Sequence, residues 1–164
     1  MSEAVESTEL LRRLADAGIE IPATVPEPPE THVDLLERPV FGHLATVRAD
    51  GWPLSNPMWF LWDPEIRAIK LTHTKVRHTY RNLQREPRIS LSIADPEDQY
   101  RYLQVRGVVV SVDDDPEGRF YQVLQQRYQG YTKEVADPAV RVMLTVRPVA
   151  YRVMGPPHRP DARR

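Results

Sequence analysis

Short runs of apolar residues, separated by turn-forming residues, dominate the chain after residue 40. Apolar and polar positions that alternate within such runs predict β-strands. The Asp50-Gly51 pair between the first two runs is typical of a tight hairpin turn. The predicted strands cover residues 41–47, 53–62, 66–73, 88–94, 100–112 and 142–153.

Two segments between these strands show helical spacing instead. Residues 75–85 and residues 115–130 repeat apolar side chains every three or four positions, and residues 31–37 predict a further helical turn. Short strands joined by hairpin turns favour an antiparallel barrel with helices at its edges over an alternating parallel sheet. We therefore expect a mainly β fold with flanking helices.

The start of the chain has a different pattern. Residues 7–18 predict a short helix with a leucine stripe, and Gly18 is its natural stop. Residues 21–30 contain four prolines, a density that neither a helix nor an inner strand tolerates. We expect an extension that packs across a partner subunit, then a main domain and a loose tail: residues 1–30, 31–155 and 156–164.

Composition excludes several classes of function. The 164-residue chain has no cysteine, so it holds no disulfide framework, catalytic thiolate or cysteine-ligated metal. A formal net charge of -1 gives no bias toward nucleic acid or anionic membranes. No apolar run approaches the ~20 residues of a membrane-spanning helix, and the polar start does not resemble a signal peptide. We expect a cytoplasmic protein with no nucleic-acid or membrane partner.

Common catalytic and nucleotide-binding motifs do not occur in the sequence. His43, His73 and His78 lack the spacing of metal ligands, so we expect no metal site. Neither a G-x-G-x-x-G fingerprint nor a P-loop is present, which argues against Rossmann or Walker nucleotide binding. No arrangement of Ser, His and acid indicates nucleophilic catalysis. We nominate no catalytic residue.

The helix predicted over residues 75–85, with Thr74 as its cap, carries a basic stripe. Arg77, Arg81 and Arg85 recur every four residues, and like charges at this spacing repel. Lys75 and Arg77 also oppose the helix dipole in the first turn. A bound anion reverses that cost, because free N–H groups and cations converge on it. A phosphate site and a solvated basic face with surface ion pairs fit this pattern equally. The same helix predicts a buried stripe of Val76, Tyr80 and Leu83.

The second predicted strand contains a proline. Pro57 cannot donate a hydrogen bond to a neighbouring strand, so it marks an edge, a bulge or an opening. An open edge with Met58 and aromatic residues, and with Ser55 and Asn56 as hydrogen-bonding groups, suits a flat heterocyclic ring. An ordinary edge strand with aromatic side chains in the core explains the pattern as well.

Four motifs resemble the pyridoxamine-phosphate-oxidase-like split-barrel proteins, and most closely their actinobacterial branch that uses the deazaflavin coenzyme F420. They are FGHLATV at 41–47 with Asp50-Gly51-x-Pro53, SNPMWF at 55–60, Lys75-x-Arg77 with RNLxRxPR at 81–88, and YLxVxG at 102–107. The basic motif is the most specific. The similarity covers residues 33–155. The chain departs from the pattern at Thr79, where many members carry Lys.

The resemblance implies a six-stranded antiparallel split β-barrel that forms a homodimer, with the cofactor at the dimer interface. It implies a phosphate site at Thr72, Thr74, Lys75 and Arg77, a ring site at residues 55–58, and contacts from Arg81 to further negative charges of F420. The implied cofactor-binding residues are Ser55, Asn56, Pro57, Met58, Leu71, Thr72, Thr74, Lys75, Arg77 and Arg81.

The implied activity is that of an F420-dependent oxidoreductase, an enzyme that transfers a hydride from reduced F420 to a small organic substrate. One alternative is an FMN-dependent oxidoreductase of the pyridoxamine-phosphate-oxidase type. The other is a protein that stores, carries or senses a cofactor without turnover. The substrate depends on loops that the sequence leaves undefined.

Overall fold

The structure is a computed structural model that describes Arg12 and residues 14–158. Its strands are β1 (Gly42–Val47), β2 (Pro53–Met58), β3 (Phe60–Asp63), β4 (Ala68–Thr74), β5 (Arg88–Ala94), β6 (Tyr102–Asp114) and β7 (Arg141–Met154). Its helices are α1 (Asp34–Glu37), α2 (His78–Arg85) and α3 (Arg119–Gln129), with a 3-10 turn at Pro138–Val140. No helix in this described part is long and apolar enough to cross a membrane.

All seven strands form one antiparallel sheet in the order β2-β1-β5-β6-β7-β4-β3. The two outermost strands, β2 and β3, are consecutive in the chain, and Trp59 alone joins them. The two edges of the sheet must therefore meet at Trp59, which curls the sheet into a barrel that is split beside this residue. A mainly β fold with flanking helices is confirmed.

The expected number of six strands was wrong by one, because residues 53–62 form two strands. β2 ends its pairing with β1 at the Met58–Gly42 pair, and β3 begins its pairing with β4 at the Phe60–Leu71 pair. A strand that changes partners has to interrupt its ladder. Pro57, which lacks an N–H to donate, lies beside that interruption.

The core fills the inside of the curled sheet and is closed by α1. Its fully buried side chains come from α1 and from six strands: Leu35, Leu36, Leu44, Phe60, Ile69, Leu71, Leu91, Ile93, Leu103, Val105, Val109, Val142, Leu144 and Val146. β6 and β7 are the longest strands and bend together. Their register shifts between Arg106 and Gly107, where a Cβ on the glycine would lie 2.6 Å from Val146 Cγ1. The predicted kink at Gly107 is confirmed.

The basic helix begins three residues later than predicted. Residues 75–77 form a turn between β4 and α2. In this turn the Lys75 N–H donates to the Val140 carbonyl at 2.9 Å, and the Arg77 N–H donates to the Thr74 carbonyl at 3.2 Å. Arg77 is the extended residue before α2, and no side chain caps the helix, so Thr74 is not its cap. Val76 is therefore outside the buried stripe and is 62% exposed, whereas Leu83 is buried as predicted.

The described part of the N-terminal extension lies on the chain's own barrel. Residues 14–16 are helical, Leu14 is buried, and Gly18 ends the helix with a left-handed φ of 70°. The Arg147 guanidinium on β7 donates to the carbonyls of Pro22 at 2.7 Å and Ala23 at 3.0 Å. These residues therefore contact the chain's own barrel, and packing of the extension across a partner subunit stays a prediction. The predicted helix over 7–11 and the tail after residue 158 lie outside the described residues.

A buried ionic cluster around Arg101 connects residues near the beginning of the barrel domain with residues near its end. The Arg101 side chain, 4% exposed, donates to both carboxylate oxygens of Asp34 and to Asp95. It also donates to the carbonyls of Thr31 and Pro156. Burial pushes the pKa of Asp34 upward, but the hydrogen bond and charge of Arg101 outweigh this effect and leave that pKa lowered.

Candidate functional site

A cleft of about 220 Å³ opens at the split in the barrel. β2, β4, α3 and β7 contribute to its wall, together with Phe41, Trp59 and the turn before α2. The lining residues are Phe41, Pro57, Met58, Trp59, Thr72, His73, Thr74, Arg77, Tyr121 and Arg141. Larger hollows of about 740 Å³ and 440 Å³ follow the N-terminal extension. Both have carboxylates in their lining, Glu20 in the first and Asp16 and Glu86 in the second, whereas the cleft at the split has none.

The end of β4 forms the polar floor of this cleft. Residues 72–74 pair with β7 on one side, but the pairing of β3 with β4 stops at Leu71. Their main chain therefore has no strand neighbour on the side where β3 begins. Thr72, His73 and Thr74 are each at most 8% exposed and all line the cleft. The barrel's split thus leaves a short stretch of strand edge facing the cleft.

His73 is held as a neutral hydrogen-bond donor. The Thr74 N–H donates to His73 Nδ1 at 3.0 Å, which assigns the ring proton to Nε2. Burial, and then the charges of Arg77 and Arg141, lower the pKa of His73 to about 4. The ring is therefore uncharged near neutral pH and retains one N–H to donate.

The two threonines beside His73 also have hydroxyls that the protein does not fully satisfy. Thr74 is 2% exposed, and its Oγ1 has no hydrogen-bond partner. Thr72 Oγ1 accepts an N–H from Arg141 at 3.3 Å, which leaves the Thr72 hydroxyl hydrogen to be donated elsewhere. Buried polar groups are nearly always paired, so an unpartnered hydroxyl on a cleft wall indicates a place for a ligand atom.

The cations around the cleft differ in how far this chain neutralises them. Lys75 pairs with Asp114 Oδ1 at 2.5 Å, and Arg141 pairs with Asp137 Oδ1 at 2.8 Å. Arg77 and Arg81 form no ion pair within the described part of the chain. The Arg85 guanidinium donates to the Val47 carbonyl and so holds α2 against β1. Arg77 is therefore the unneutralised cation that lines the cleft.

An aromatic wall faces these polar groups. Trp59 stacks on Tyr128 at a ring distance of 5.2 Å and on Tyr121 at 6.1 Å. The Tyr128 hydroxyl accepts the Phe60 N–H at 3.1 Å and lies 3.0 Å from the Val40 carbonyl, which fixes α3 beside the split. Phe41 packs against Tyr128 from the rim. The wall thus combines flat apolar faces with a rigid backing.

Half of the predicted binding residues meet in the cleft. Pro57, Met58, Thr72, Thr74 and Arg77 line it. Ser55 is exposed on β2, Arg81 is exposed on α2, and the Leu71 side chain is in the core. Lys75 is held by Asp114 outside the lining. The roles implied for all ten residues stay predictions.

Asn56 points to α2 instead of the cleft. Its Nδ2 donates to Thr79 Oγ1 at 3.4 Å, and Thr79 is buried. The position at which many family members carry Lys therefore holds, in this chain, a small hydroxyl that joins β2 to α2. The buried Thr79 hydroxyl thus has a hydrogen-bond partner within the protein and needs no ligand to satisfy it.

Sequence reasoning missed five lining residues: Phe41, Trp59, His73, Tyr121 and Arg141. Phe41 and Trp59 lie inside the motifs. His73 lies between the nominated residues Thr72 and Thr74, which was the signal that could have found it. Tyr121 and Arg141 come from α3 and β7, and only the curling of the sheet brings them to β4. Within residues 14–158, no group of three or more His, Cys, Asp or Glu side chains is placed to hold a metal ion.

The lining fits an acceptor-rich, anionic ligand with a flat ring. Its polar groups are three hydroxyls from Thr72, Thr74 and Tyr121, the neutral His73 ring, and the guanidinium groups of Arg77 and Arg141. No carboxylate lines the cleft. A phosphate supplies the acceptor oxygens and negative charge that this set lacks, and the aromatic wall suits a planar heterocycle.

Comparisons with known proteins agree with this geometry. A model of the family described as pyridoxamine 5'-phosphate oxidase matches residues 28–155. A solved structure described as an F420 reductase is 49% identical, covers 76% of this chain and 98% of that chain, and superimposes with a TM-score of 0.72. No curated protein matches the chain.

More distant solved structures share the fold. A conserved hypothetical protein from Mycobacterium tuberculosis is 23% identical with a TM-score of 0.61, covering 85% of this chain and 95% of that chain. General stress protein 26 from Bacillus anthracis is 19% identical with a TM-score of 0.59, and the match covers 77% of this chain and 93% of that chain. Because the family model spans most of the barrel and the F420 reductase matches it at high identity, this chain belongs to the pyridoxamine 5'-phosphate oxidase family and has its split-barrel fold.

Proposed function

We propose that this chain is an F420-dependent oxidoreductase whose cleft at the barrel split holds the cofactor. The family and the F420 reductase relative support an oxidoreductase of the F420 or flavin type. The observation that carries the proposal is the polar lining at the end of β4, which contains cations and hydroxyls but no carboxylate and includes the buried, unpartnered Thr74 hydroxyl.

Each part of the lining has a separate task in this proposal. The Thr74 hydroxyl and the Arg77 guanidinium hold a phosphate oxygen, the hydroxyl as a hydrogen-bond donor and the guanidinium as a charge-assisted donor. Pro57 and Met58 contact the flat ring. The stacked Trp59 and Tyr121 exclude water from one side of the cleft. Arg81, exposed on α2, meets the further negative charges of F420.

When bound in reduced form, F420 supplies the hydride that reduces a small organic substrate. The protein's own contribution is binding, orientation and exclusion of water. His73, with a pKa of about 4, carries no imidazolium proton near neutral pH, and no carboxyl group lines the cleft. We therefore assign the proton that balances hydride transfer to solvent.

We also propose that the working form is a homodimer. A cleft of about 220 Å³ is smaller than the ~300–1,000 Å³ of typical ligand sites, so a cofactor of this size needs a further wall. A partner subunit at the split supplies that wall. Light scattering of the purified protein tests this point, and a monomer that binds the cofactor would contradict it.

The direct test is titration of the purified full chain with F420 and with FMN, followed by cofactor fluorescence. We expect F420 to bind roughly tenfold more tightly or better, since one additional charge-assisted contact is worth about 1.4 kcal/mol or more. Arg77→Met should weaken F420 binding about 10–100-fold by loss of such a contact. Arg106→Met is the matched control, because Arg106 is an exposed arginine on β6 away from the cleft.

The three candidate activities give different results in this test. Tight FMN binding without F420 binding, with a yellow protein as purified, would identify the FMN-dependent alternative. F420 binding without oxidation of reduced F420 across a broad set of organic acceptors would identify a cofactor-binding protein without turnover. Binding of F420 together with acceptor-dependent loss of reduced F420 supports the proposal.

A further inference from the structure

Arg141 is fixed more firmly than any other cation at the cleft. Its Nε donates to Asp137 Oδ1 at 2.8 Å, and its Nη2 lies 2.8 Å from the same oxygen. Its guanidinium carbon lies 3.6 Å from the centre of the Tyr121 ring, in cation–π contact. The side chain is only 11% exposed. One edge and one face of the guanidinium are therefore held before any ligand arrives.

The remaining nitrogen of this guanidinium, Nη1, forms a hydrogen bond with Thr72. Nη1 donates to Thr72 Oγ1 at 3.3 Å, and a guanidinium can only donate. The Thr72 hydroxyl must then be the acceptor in that pair, which leaves its own hydrogen for another acceptor. Across the described residues, no protein oxygen accepts this hydrogen, and Thr72 lines the cleft.

We propose that Arg141 is a positioning residue that commits the Thr72 hydroxyl to donating a hydrogen bond to a phosphate oxygen of the bound cofactor. This inference rests on the proposed function and adds to it a residue from β7, outside every sequence motif. Arg141 thereby leaves the Thr72 hydroxyl hydrogen available to a phosphate oxygen, next to the unpartnered Thr74 hydroxyl. A hydroxyl free to rotate would present a lone pair to the ligand part of the time and would repel a phosphate oxygen.

A positioning role for Arg141 differs from two simpler roles, direct contact with the cofactor and support of the fold. If Arg141 contacted the cofactor directly, its loss would weaken binding whether or not Thr72 had a hydroxyl. If Arg141 only supported the fold, its loss would lower stability without a specific dependence on Thr72. Coupling between Arg141 and Thr72 in the cofactor's dissociation constant separates these roles.

The experiment is a double-mutant cycle on the full chain, read by cofactor titration. Thr72→Val removes the hydroxyl at nearly constant shape, and Arg141→Lys keeps the charge but loses the planar fork. We expect about tenfold weaker binding for each single variant, and no more than about twofold further loss when Arg141→Lys is added to Thr72→Val. Thr72→Ser, which keeps the hydroxyl, should bind like the wild type.

Single losses that multiply to about a hundredfold in the double variant would overturn the positioning role, because the two residues would then act independently. Asp137→Asn provides a second route if Arg141→Lys does not fold. It leaves Arg141 in place but weakens its anchor, and its effect on binding should likewise disappear in the Thr72→Val background.

The cycle also separates this inference from the proposed function. If the wild type binds FMN instead of F420, the F420 assignment fails, and the same cycle read with FMN still decides the role of Arg141. If the wild type binds F420 and the cycle shows no coupling, the positioning role fails alone. If it binds neither cofactor, both proposals are overturned.

Discussion

At the residue scale, the most informative side chains are buried polar groups whose hydrogen bonds or charges this chain does not fully balance. His73 receives a hydrogen bond at Nδ1 but is buried among cations, which keeps it neutral. Thr74 is buried with no partner for its hydroxyl. The first arrangement makes stability depend on pH, and the second costs stability that a ligand can restore.

His73 should make the protein sensitive to mild acid. The pKa of His73 is about 4 in the folded state against an ordinary value of 6.5, so only the unfolded chain takes up this proton between those values. Its contribution is fully present above pH 6.5 and is lost as the pH falls toward 4. Relative to His73→Asn, the wild type should lose roughly 3 kcal/mol of unfolding free energy between pH 7 and pH 4.

Urea unfolding of both proteins at a series of pH values measures this difference. The carboxyl groups are common to the two proteins, so their titration cancels in the comparison. A difference that stays constant across this pH range would show that His73 titrates alike in the folded and unfolded chains.

Thr74→Val should separate stability from binding. The substitution removes an unsatisfied buried hydroxyl at nearly constant shape, so the cofactor-free protein should gain about 1 kcal/mol in unfolding free energy. Cofactor affinity should fall about tenfold, because the ligand loses a donor. Chemical unfolding and titration give the two values, and Thr74→Ser is the control that should keep wild-type affinity. Unchanged affinity in Thr74→Val would remove Thr74 from the site.

At the element scale, the position of the cleft is set by the break between β2 and β3 and by the packing of α3. The β1–β2 ladder ends just before Trp59, and the β3–β4 ladder begins just after it. The last residues of β4 therefore keep an unpaired edge. α3 is then fixed over that edge through the Tyr128 hydroxyl and the stacking on Trp59. A separate contact, made by Arg101, joins α1 to the turn between β5 and β6 through buried carboxylates.

Arg101→Met should destabilise the protein strongly. It leaves Asp34 and Asp95 buried without their main cation, which typically costs about 3–5 kcal/mol. Arg88→Met is the matched control, since its pair with Glu86 is on the surface and is worth at most about 1 kcal/mol. Denaturant midpoints and slopes give both values. Equal losses for the two variants would show that the Arg101 cluster acts as an ordinary surface pair.

At the scale of the whole molecule, the N-terminal extension is attached to the barrel by side chains that reach its main chain. Arg147 on β7 holds the carbonyls of Pro22 and Ala23, and Arg67 pairs with Glu27. The prolines remove main-chain donors, so barrel side chains have to donate to the free carbonyls. The extension is thus held by few, separable contacts.

Arg147→Met should release this extension without unfolding the sheet. We expect limited proteolysis within residues 14–30 to accelerate several-fold, because each lost hydrogen bond contributes about 1 kcal/mol to holding the segment down. The far-ultraviolet circular dichroism should stay that of the wild type. Arg152→Met, an exposed arginine on the same strand, is the control and should leave the cleavage rate unchanged. Wild-type cleavage in Arg147→Met would mean that other contacts hold the extension.

The sequence by itself determined where most strands and helices lie and the motifs at 55–60 and 75–88, because alternation, helical spacing and turn residues act over a few neighbouring positions. It did not show that residues 53–62 form two strands or that α2 begins only at His78. It also indicated Pro57 as an interruption and Gly107 as a kink. Five of the ten nominated binding residues line the cleft, since they are local to β2, β4 and the turn after it.

Only the tertiary structure decided where the barrel splits and what faces the nominated residues. Arg141 reaches Thr72 across 69 positions of sequence, and Tyr121 meets Trp59 only because α3 crosses the split. The burial of Leu71 and the turn of Asn56 toward Thr79 follow from which ladder each residue joins, and the exposure of Val76 follows from the late start of α2. Pairing between distant strands is a property of the whole sheet, and local patterns along the chain do not encode it.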